Sequence, residues 1–255
     1  MPIISIAIQK GGSGKTTTAL NLGAALCLAG KKVLLVDADP QASLSQSLGL
    51  ADEPVDNLYT ELRKEMQGEG GQLSKAVVHT QQGMDVVPAS IDLANAELEL
   101  VSVYSREQLL SWLLKPLAPA YDYVLIDCPH AIGMLTVNAL VASDCVLMPL
   151  PGEFLPLKGV YSFMRHFEII RKKLNPKLEL LGMVMTRFDE RKLMNADVKK
   201  ELEGKFDGKV FRTVIRTNIQ LARAQQEGMD IFSFDKQSNG AKDYRDLAEE
   251  IMQKI

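Results

Sequence analysis

Short apolar runs separated by helical stretches recur along the whole chain. The first run, residues 3–8, is nearly continuous and rich in β-branched side chains, which predicts a parallel strand buried on both faces. Further strands are predicted over residues 32–36, 84–87, 121–127, 145–150, 178–186 and 210–214. Helices are predicted over residues 16–29, 42–49, 92–114, 133–142, 157–174, 192–205 and 239–255. This alternation predicts one α/β domain over residues 1–255, a mostly parallel twisted sheet with helices on both faces.

A glycine-rich loop follows the first predicted strand. Its glycines let the backbone turn tightly and bring N–H groups against an anion, and the next helix adds its positive end. Lys15 is placed to reach the β- and γ-phosphates of a nucleotide, and the Thr16 hydroxyl to ligate Mg²⁺. A turn with solvated lysines is the alternative, but the strand, loop and helix order favours a phosphate loop. The predicted nucleotide-binding residues are Gly11, Gly12, Ser13, Gly14, Lys15, Thr16 and Thr17.

The loop departs from the usual pattern Gly-x4-Gly-Lys-Ser/Thr, because Gln9 occupies the first glycine position and a second lysine, Lys10, precedes Lys15 by five residues. In this respect it resembles the deviant Walker A loop of the ParA/MinD family of P-loop ATPases. The resemblance implies ATP and Mg²⁺ as cofactors and slow basal hydrolysis. It also implies an ATP-bound homodimer in which Lys10 crosses to the partner's phosphates.

Acidic residues end two of the predicted strands, where open α/β sheets bind ligands. The run Asp37-Ala-Asp-Pro-Gln resembles switch I of the family, which implies that Asp39 activates the attacking water and Asp37 supports the magnesium shell. Asp127 resembles a Walker B carboxylate that holds Mg²⁺ opposite Thr16. His130 replaces the second proline of the family's Asp-x-Pro-Pro, and we interpret it as a structural loop residue near the γ-phosphate.

Two further residues acquire roles only through the resemblance. Asn218 stands where relatives use an asparagine on the adenine edge, and a helix N-cap is the alternative interpretation. Glu153 lies where a glutamate often contributes to the dimer interface, near the partner's Lys10 or nucleotide.

Charge is unevenly distributed along the chain. The net charge is −3, yet residues 171–223 carry 14 lysines and arginines against 7 acids. Such a basic segment predicts a nucleic-acid footprint, with solvated helix faces as the alternative. Arg191 matches a position used for nonspecific DNA contact in some relatives. A second such position is Gln220 here, for which Arg216 and Arg223 are possible substitutes.

Composition excludes several classes of protein. No apolar run reaches membrane-spanning length and no signal peptide precedes the first strand, so we expect a cytoplasmic protein without a membrane partner. The resemblance to the ParA/MinD family further implies association with the nucleoid. The chain begins at its first strand, so no N-terminal helix-turn-helix domain is expected. Cys27, Cys128 and Cys145 suggest neither disulfides nor a zinc site.

The resemblance covers nearly the whole chain and implies a DNA partitioning or positioning ATPase. Its ATP-bound dimer would bind nonspecific DNA and be released when a ParB-like or cargo adaptor protein stimulates hydrolysis, segregating a plasmid or chromosome. Positioning of a protein cargo is the alternative. A MinD-like membrane cycle would need a basic amphipathic helix beyond the core, and residues 249–255 include two acids. A metabolic ligase, or a nitrogenase-reductase relative with cluster cysteines, is a third class.

Overall fold

Eight strands form one sheet at the centre of the molecule, in the order β3-β4-β2-β5-β1-β6-β7-β8. The computed structural model describes residues 1–50, 54–152 and 156–255. Neighbouring strands are parallel except β3 and β4, which are antiparallel. The predicted fold class is confirmed. The strands are β1 Ile3–Ile6, β2 Val33–Asp37, β3 Val78–His79, β4 Asp85–Val87, β5 Tyr123–Asp127, β6 Cys145–Pro151, β7 Glu179–Phe188 and β8 Val210–Arg216.

Helices cover both faces of the sheet, because alternate strand side chains enter two separate apolar clusters. The helices are α1 Lys15–Leu28, α2 Ser43–Ser47, α3 Leu58–Met66, α4 Leu93–Glu99, α5 Leu109–Leu114, α6 Met134–Ala142, α7 Pro156–Lys173, α8 Leu193–Lys205, α9 Ile219–Gln226, α10 Ile231–Asp235 and α11 Asn239–Met252. One cluster packs under α3 to α8 and the other under α1, α2 and α9 to α11. In the described ranges, no helix is both long and apolar enough to span a bilayer.

The single long helix predicted over residues 92–114 is wrong. The chain leaves α4 through a 3₁₀ turn at Leu100–Ser102, and Ser105 adopts a left-handed conformation with φ 52° before α5 begins. Asn138 of α6 determines this path, because its Nδ2 donates to the Arg106 carbonyl at 2.8 Å and its Oδ1 accepts from Leu110 N at 3.2 Å. Trp112 of α5 is 43% exposed.

The edge strand β8 is covered by carboxylates of α11. Glu250 accepts the backbone N–H groups of Arg212 and Thr213 at 3.1 and 3.0 Å, and Asp243 accepts that of Arg216 at 2.9 Å. The helix ends at Met252, three residues before the predicted end at Ile255, which is exposed. The other edge, β3, is only two residues long.

Candidate nucleotide-binding site

The glycine-rich loop connects β1 to α1 and forms an open cradle. Gly12 and Gly14 have φ values of 67° and 88°, in the left-handed region that side chains rarely adopt, and Gly14 is the N-cap of α1. Thr186 Oγ1, from β7, donates to the Ser13 carbonyl at 2.8 Å and fixes the loop to the sheet. The buried Lys15 ammonium donates to the Lys10 carbonyl at 3.3 Å, so its charge lies within the loop. This geometry suits an anion.

Two adjoining cavities extend from this loop. The first has a volume of about 320 Å³ and is lined mainly by polar loop residues, with Asp39 and His130 on its wall. The second, about 430 Å³, has an apolar lining that includes Ile215 and Leu221, together with Asn218. Both are lined by Gly12, Gly14, Thr17 and Gln225. A polar cavity beside an apolar one accommodates a ligand with an anionic tail and a flat, weakly polar head.

Asp37 ends β2 in a fully satisfied environment. Its carboxylate is completely buried and accepts Ser45 N at 2.9 Å, Ser45 Oγ at 2.7 Å and Asp39 N at 3.2 Å. Burial raises the pKa of Asp37 to about 6, although these hydrogen bonds favour the charged form. Asp37 is therefore tied to the start of α2.

Asp127 ends β5 directly beside Asp37, since the two residues are register partners. It is also completely buried, but neither carboxylate oxygen has a hydrogen-bond partner among the residues that the structure describes. Burial, and next the charge of Asp37, raise the pKa of Asp127 well above its usual range, while the Thr16 hydroxyl and the Lys15 ammonium oppose this rise. A buried carboxylate without partners is costly unless a cation binds it. The Asp127 and Thr16 oxygens fit Mg²⁺, which takes oxygen ligands.

Asp39 and His130 reach the same cavity from separate loops. Asp39 is half-buried, and its Oδ1 accepts Gln41 N at 3.0 Å. His130 is exposed on the cavity wall, in the loop between β5 and α6. The predicted loop residues, Asp39, Asp127 and His130 thus converge at one end of the sheet. The catalytic roles assigned to them stay predictions.

The sequence left two interpretations of Asn218 open, a helix N-cap and a contact with the adenine edge, and the position of Asn218 is compatible with both. It is the N-cap of α9, where its Oδ1 accepts Gln220 N at 2.9 Å, and it also lines the apolar cavity. The cap is observed, and the adenine contact stays a prediction.

Gln225 belongs to the site although no motif indicated it. Its Oε1 accepts the Thr17 hydroxyl at 2.9 Å, and its Nε2 donates to Ser47 Oγ at 3.0 Å. One side chain of α9 therefore joins α1 to α2 between the two cavities. The sequence carried no local signal for it, because its partners lie more than 170 positions away.

The residues predicted to contact DNA differ in availability. Arg191 is 90% exposed and pairs with Asp189 at 3.0 Å, and Arg223 is exposed on α9. Arg216 is 34% exposed and binds Asp243 through Nε and an Nη, so its charge is already paired within the protein. Glu153, predicted at a dimer interface, lies outside the described residues.

Comparison with known proteins places the chain in a family. Residues 1–180 match the family model described as an AAA domain. The chain is 40% identical over 249 residues to the sporulation initiation inhibitor protein Soj of Bacillus subtilis, spanning 98% of this chain and 97% of Soj. It is 40% identical over 252 residues to the chromosome partitioning protein ParA of Caulobacter vibrioides, spanning 98% of this chain and 93% of that protein. The chain belongs to the ParA family of partitioning ATPases.

Solved structures include further relatives of this ParA-family chain. Cobyrinic acid a,c-diamide synthase from Mycobacterium smegmatis, with bound ADP and magnesium, has a TM-score of 0.86 at 34% identity, covering 99% of this chain and 94% of that one. A putative plasmid partition protein from Borrelia burgdorferi, bound to AMPPNP, has a TM-score of 0.80 at 26% identity, covering 100% of this chain and 99% of that one. The septum site-determining protein MinD from Pyrococcus horikoshii, with Mg-ADP, has a TM-score of 0.79 at 26% identity, covering 98% and 95%.

Proposed function

We propose that this ParA-family protein binds ATP and Mg²⁺ at the glycine-rich loop and hydrolyses the nucleotide in a DNA partitioning cycle. The observation that carries this proposal is the buried Asp127 carboxylate, which has no hydrogen-bond partner among the described residues and lies beside the loop. A carboxylate in this state beside Thr16 is suited to Mg²⁺. The nucleotides and magnesium in the related solved structures support the same assignment.

The chain's own residues account for the chemistry that phosphoryl transfer requires, which is mainly positioning and charge neutralisation. The loop N–H groups and Lys15 hold the phosphates, and Thr16 with Asp127 holds the metal ion. Mg²⁺, when bound, supplies positive charge to the phosphate oxygens. Asp39, half-buried on the wall of the phosphate cavity, orients the attacking water. The Asn218 amide contacts the adenine edge in the apolar cavity.

Dimer formation regulates hydrolysis in this proposal. Lys10 reaches the phosphates of a second copy, so that hydrolysis is slow until two ATP-bound subunits meet. Glu153 contributes to the same interface. The dimer binds nonspecific DNA, and a ParB-like or cargo adaptor protein stimulates hydrolysis and releases it, which places the protein on the nucleoid. The cargo is a plasmid or chromosome, as the names of the ParA and plasmid partition relatives support.

Arg191 and Arg223 are the DNA contacts that we propose. Arg191 follows the carboxyl end of β7, at the same edge of the sheet as the nucleotide site, and its side chain is 90% exposed. Arg171 offers a matched control: it also pairs with a nearby acid, Glu168, but it precedes β7 and lies at the opposite edge. Arg171 is also less exposed than Arg191, at 47%.

Binding to fluorescent nonspecific duplex DNA tests this function, using wild-type, Asp39→Ala, Arg191→Ala and Arg171→Ala proteins across a salt series. We expect binding with ATP and Mg²⁺ but not with ADP, and a decline with salt as counterions return to the phosphates. Asp39→Ala should retain ATP and remain on DNA longer. Arg191→Ala should bind more weakly with a smaller salt slope, whereas Arg171→Ala should match wild type. Absence of ATP-dependent binding in every protein would refute the partitioning cycle.

A further inference from the structure

Glu97 of α4 caps the N-terminus of a different helix, α6. Its Oε2 accepts Met134 N at 2.7 Å and its Oε1 accepts Leu135 N at 3.0 Å. The N-cap of α6 is Gly133, which has no side chain to accept these N–H groups. A carboxylate at this position both satisfies the first turn and opposes the positive end of the helix dipole. The start of α6 is therefore fixed by a residue 37 positions earlier in the chain.

Gly133 is shaped for this contact. A Cβ atom at Gly133 would lie 2.5 and 2.6 Å from the two Glu97 carboxylate oxygens, closer than real Cβ atoms approach. Its φ of −107° is open to any residue, so a larger residue could be accommodated here only by moving the Glu97 carboxylate. The two residues form a fitted pair.

Residues 128–133 form the loop that joins Asp127 to α6. The loop begins at the unpartnered Asp127 carboxylate, passes His130 on the phosphate cavity, and ends at the helix that Glu97 holds. Thr136, in the first turn of α6, donates its hydroxyl to the Ala131 carbonyl at 2.6 Å, which fastens the loop to the helix. A shift of the α6 N-terminus would move the loop against the phosphates.

The segment before α4 is connected by hydrogen bonds to Asp37 at the end of β2. Four residues before Leu93 begins α4, Ala89 N donates to Ser45 Oγ at 3.0 Å, and Ser45 Oγ donates to Asp37 at 2.7 Å. Helix α4, which carries Glu97, therefore contacts both acidic strand ends. The chain before it is bonded to the end of β2, and Glu97 itself holds the helix that follows β5 and its loop.

We propose that Glu97 is a positioning residue for ATP hydrolysis, which holds loop 128–133 in the geometry that the reaction requires. The inference rests on the proposed ATPase function and assigns Glu97 no contact with the nucleotide. Its removal should leave nucleotide binding intact and slow the chemical step, because binding uses the glycine-rich loop while hydrolysis depends on the position of loop 128–133.

The test compares Glu97→Ala with Glu99→Ala by steady-state ATPase assays and by binding of a fluorescent ATP analogue. Glu99 lies on the same helix and accepts the Tyr59 hydroxyl at 3.0 Å, so its removal costs a similar bond elsewhere. For Glu97→Ala we expect kcat to fall by about tenfold or more with analogue affinity within about twofold, since misplacement of about 1 Å can cost up to about 100-fold in rate. Glu99→Ala should retain wild-type kcat.

Gly133→Ala provides the reciprocal test. The added methyl group should displace the Glu97 carboxylate and reproduce the fall in kcat. In the double variant Glu97→Ala/Gly133→Ala the methyl group has room, so kcat should be no lower than in Glu97→Ala alone. If Glu97→Ala does not fold, Glu97→Gln, which keeps one acceptor oxygen, should fold normally with an intermediate kcat.

The outcomes separate this inference from the proposed function. A wild-type protein that does not hydrolyse ATP would refute the proposed function itself. A wild-type protein that hydrolyses ATP, together with an unchanged kcat in Glu97→Ala or Glu97→Gln, would overturn the role of Glu97. Additive losses in the double variant would equally contradict it.

Discussion

The carboxyl ends of β2 and β5 place two aspartates side by side, and their surroundings differ completely. Asp37 and Asp127 are register partners and both are fully buried. Asp37 accepts three hydrogen bonds, two of them from Ser45, whereas Asp127 accepts none from the residues that the structure describes. The two aspartates occupy equivalent positions in neighbouring strands. The carboxylate oxygens of Asp37 are therefore occupied by protein donors, whereas those of Asp127 are not.

This difference separates a carboxylate that protein donors hold in place from one whose oxygens are free of them. The metal roles predicted for both stay predictions. Protein donors compensate part of the cost of burying Asp37, and they connect the strand end to α2. The Lys15 ammonium and the Thr16 hydroxyl offset only part of the cost of burying Asp127, because its pKa stays well above the usual range. In the proposed site, a bound Mg²⁺ would remove the remaining cost, which would contribute to its affinity.

Asp127→Asn should have the largest effect. We expect Mg²⁺-dependent ATP turnover to fall by roughly 100-fold or more, because the amide supplies no charge to a metal ion that neutralises the phosphates. Without nucleotide and metal, the free energy of unfolding should rise, since a buried carboxyl group that is costly to ionise is replaced by an uncharged amide. ATPase assays and urea unfolding measure the two quantities. Loss of turnover without any gain in stability would show that Asp127 is already compensated in the metal-free protein.

The burial of Asp37 should make the free energy of unfolding depend on pH. Its pKa is raised from the model-compound value of 3.8 to about 6 in the folded protein, so between these values the folded chain keeps a proton that the unfolded chain has released. Its contribution to the free energy of unfolding should therefore fall as pH rises from 4 to 6, by on the order of 3 kcal/mol. Urea unfolding of Asp127→Asn and Asp37→Asn/Asp127→Asn proteins without Mg²⁺ gives this contribution as a difference, because the charge of Asp37 also raises the pKa of Asp127 in the wild type. A difference that does not change with pH would contradict it.

Ser45→Ala should have the smallest effect of the three. It removes the hydroxyl that donates to Asp37 and accepts Ala89 N, which should lower the free energy of unfolding by about 1–2 kcal/mol. The pKa of Asp37 should rise further, because a hydrogen bond to its charged form is lost. Thermal unfolding measures the first effect, with Ser43→Ala, on the same helix, as the control. Equal stability of both variants would place Asp37 in the same class as Asp127.

Local physical rules account for the parts of the fold that the sequence predicted. An unbroken β-branched run has few alternatives to a buried strand, so β1 was predictable, and Gly12 and Gly14 are required by the φ values that the loop adopts. The same reasoning placed Asp37, Asp39 and Asp127 together, because parallel strands end at one edge. These inferences needed only neighbouring residues.

Contacts between distant residues explain what could not be predicted. The hydrophobic period continues across residues 100–108, and the break there depends on Asn138 of α6. The two strand-end aspartates look alike in sequence. The hydrogen bonds from Ser45 that distinguish Asp37 form only when α2 packs against the end of β2. Gln225 likewise reaches Thr17 only once the chain has folded. Such partners become visible when the elements pack.

The carboxylates of α11 along β8 have a consequence for the behaviour of the protein at high concentration. An edge strand normally offers free N–H groups on which another chain can add as a further strand, a route to aggregation. Here Glu250 and Asp243 occupy N–H groups of Arg212, Thr213 and Arg216. This edge of the sheet is therefore a poor template for a strand of a neighbouring molecule, even in a crowded solution.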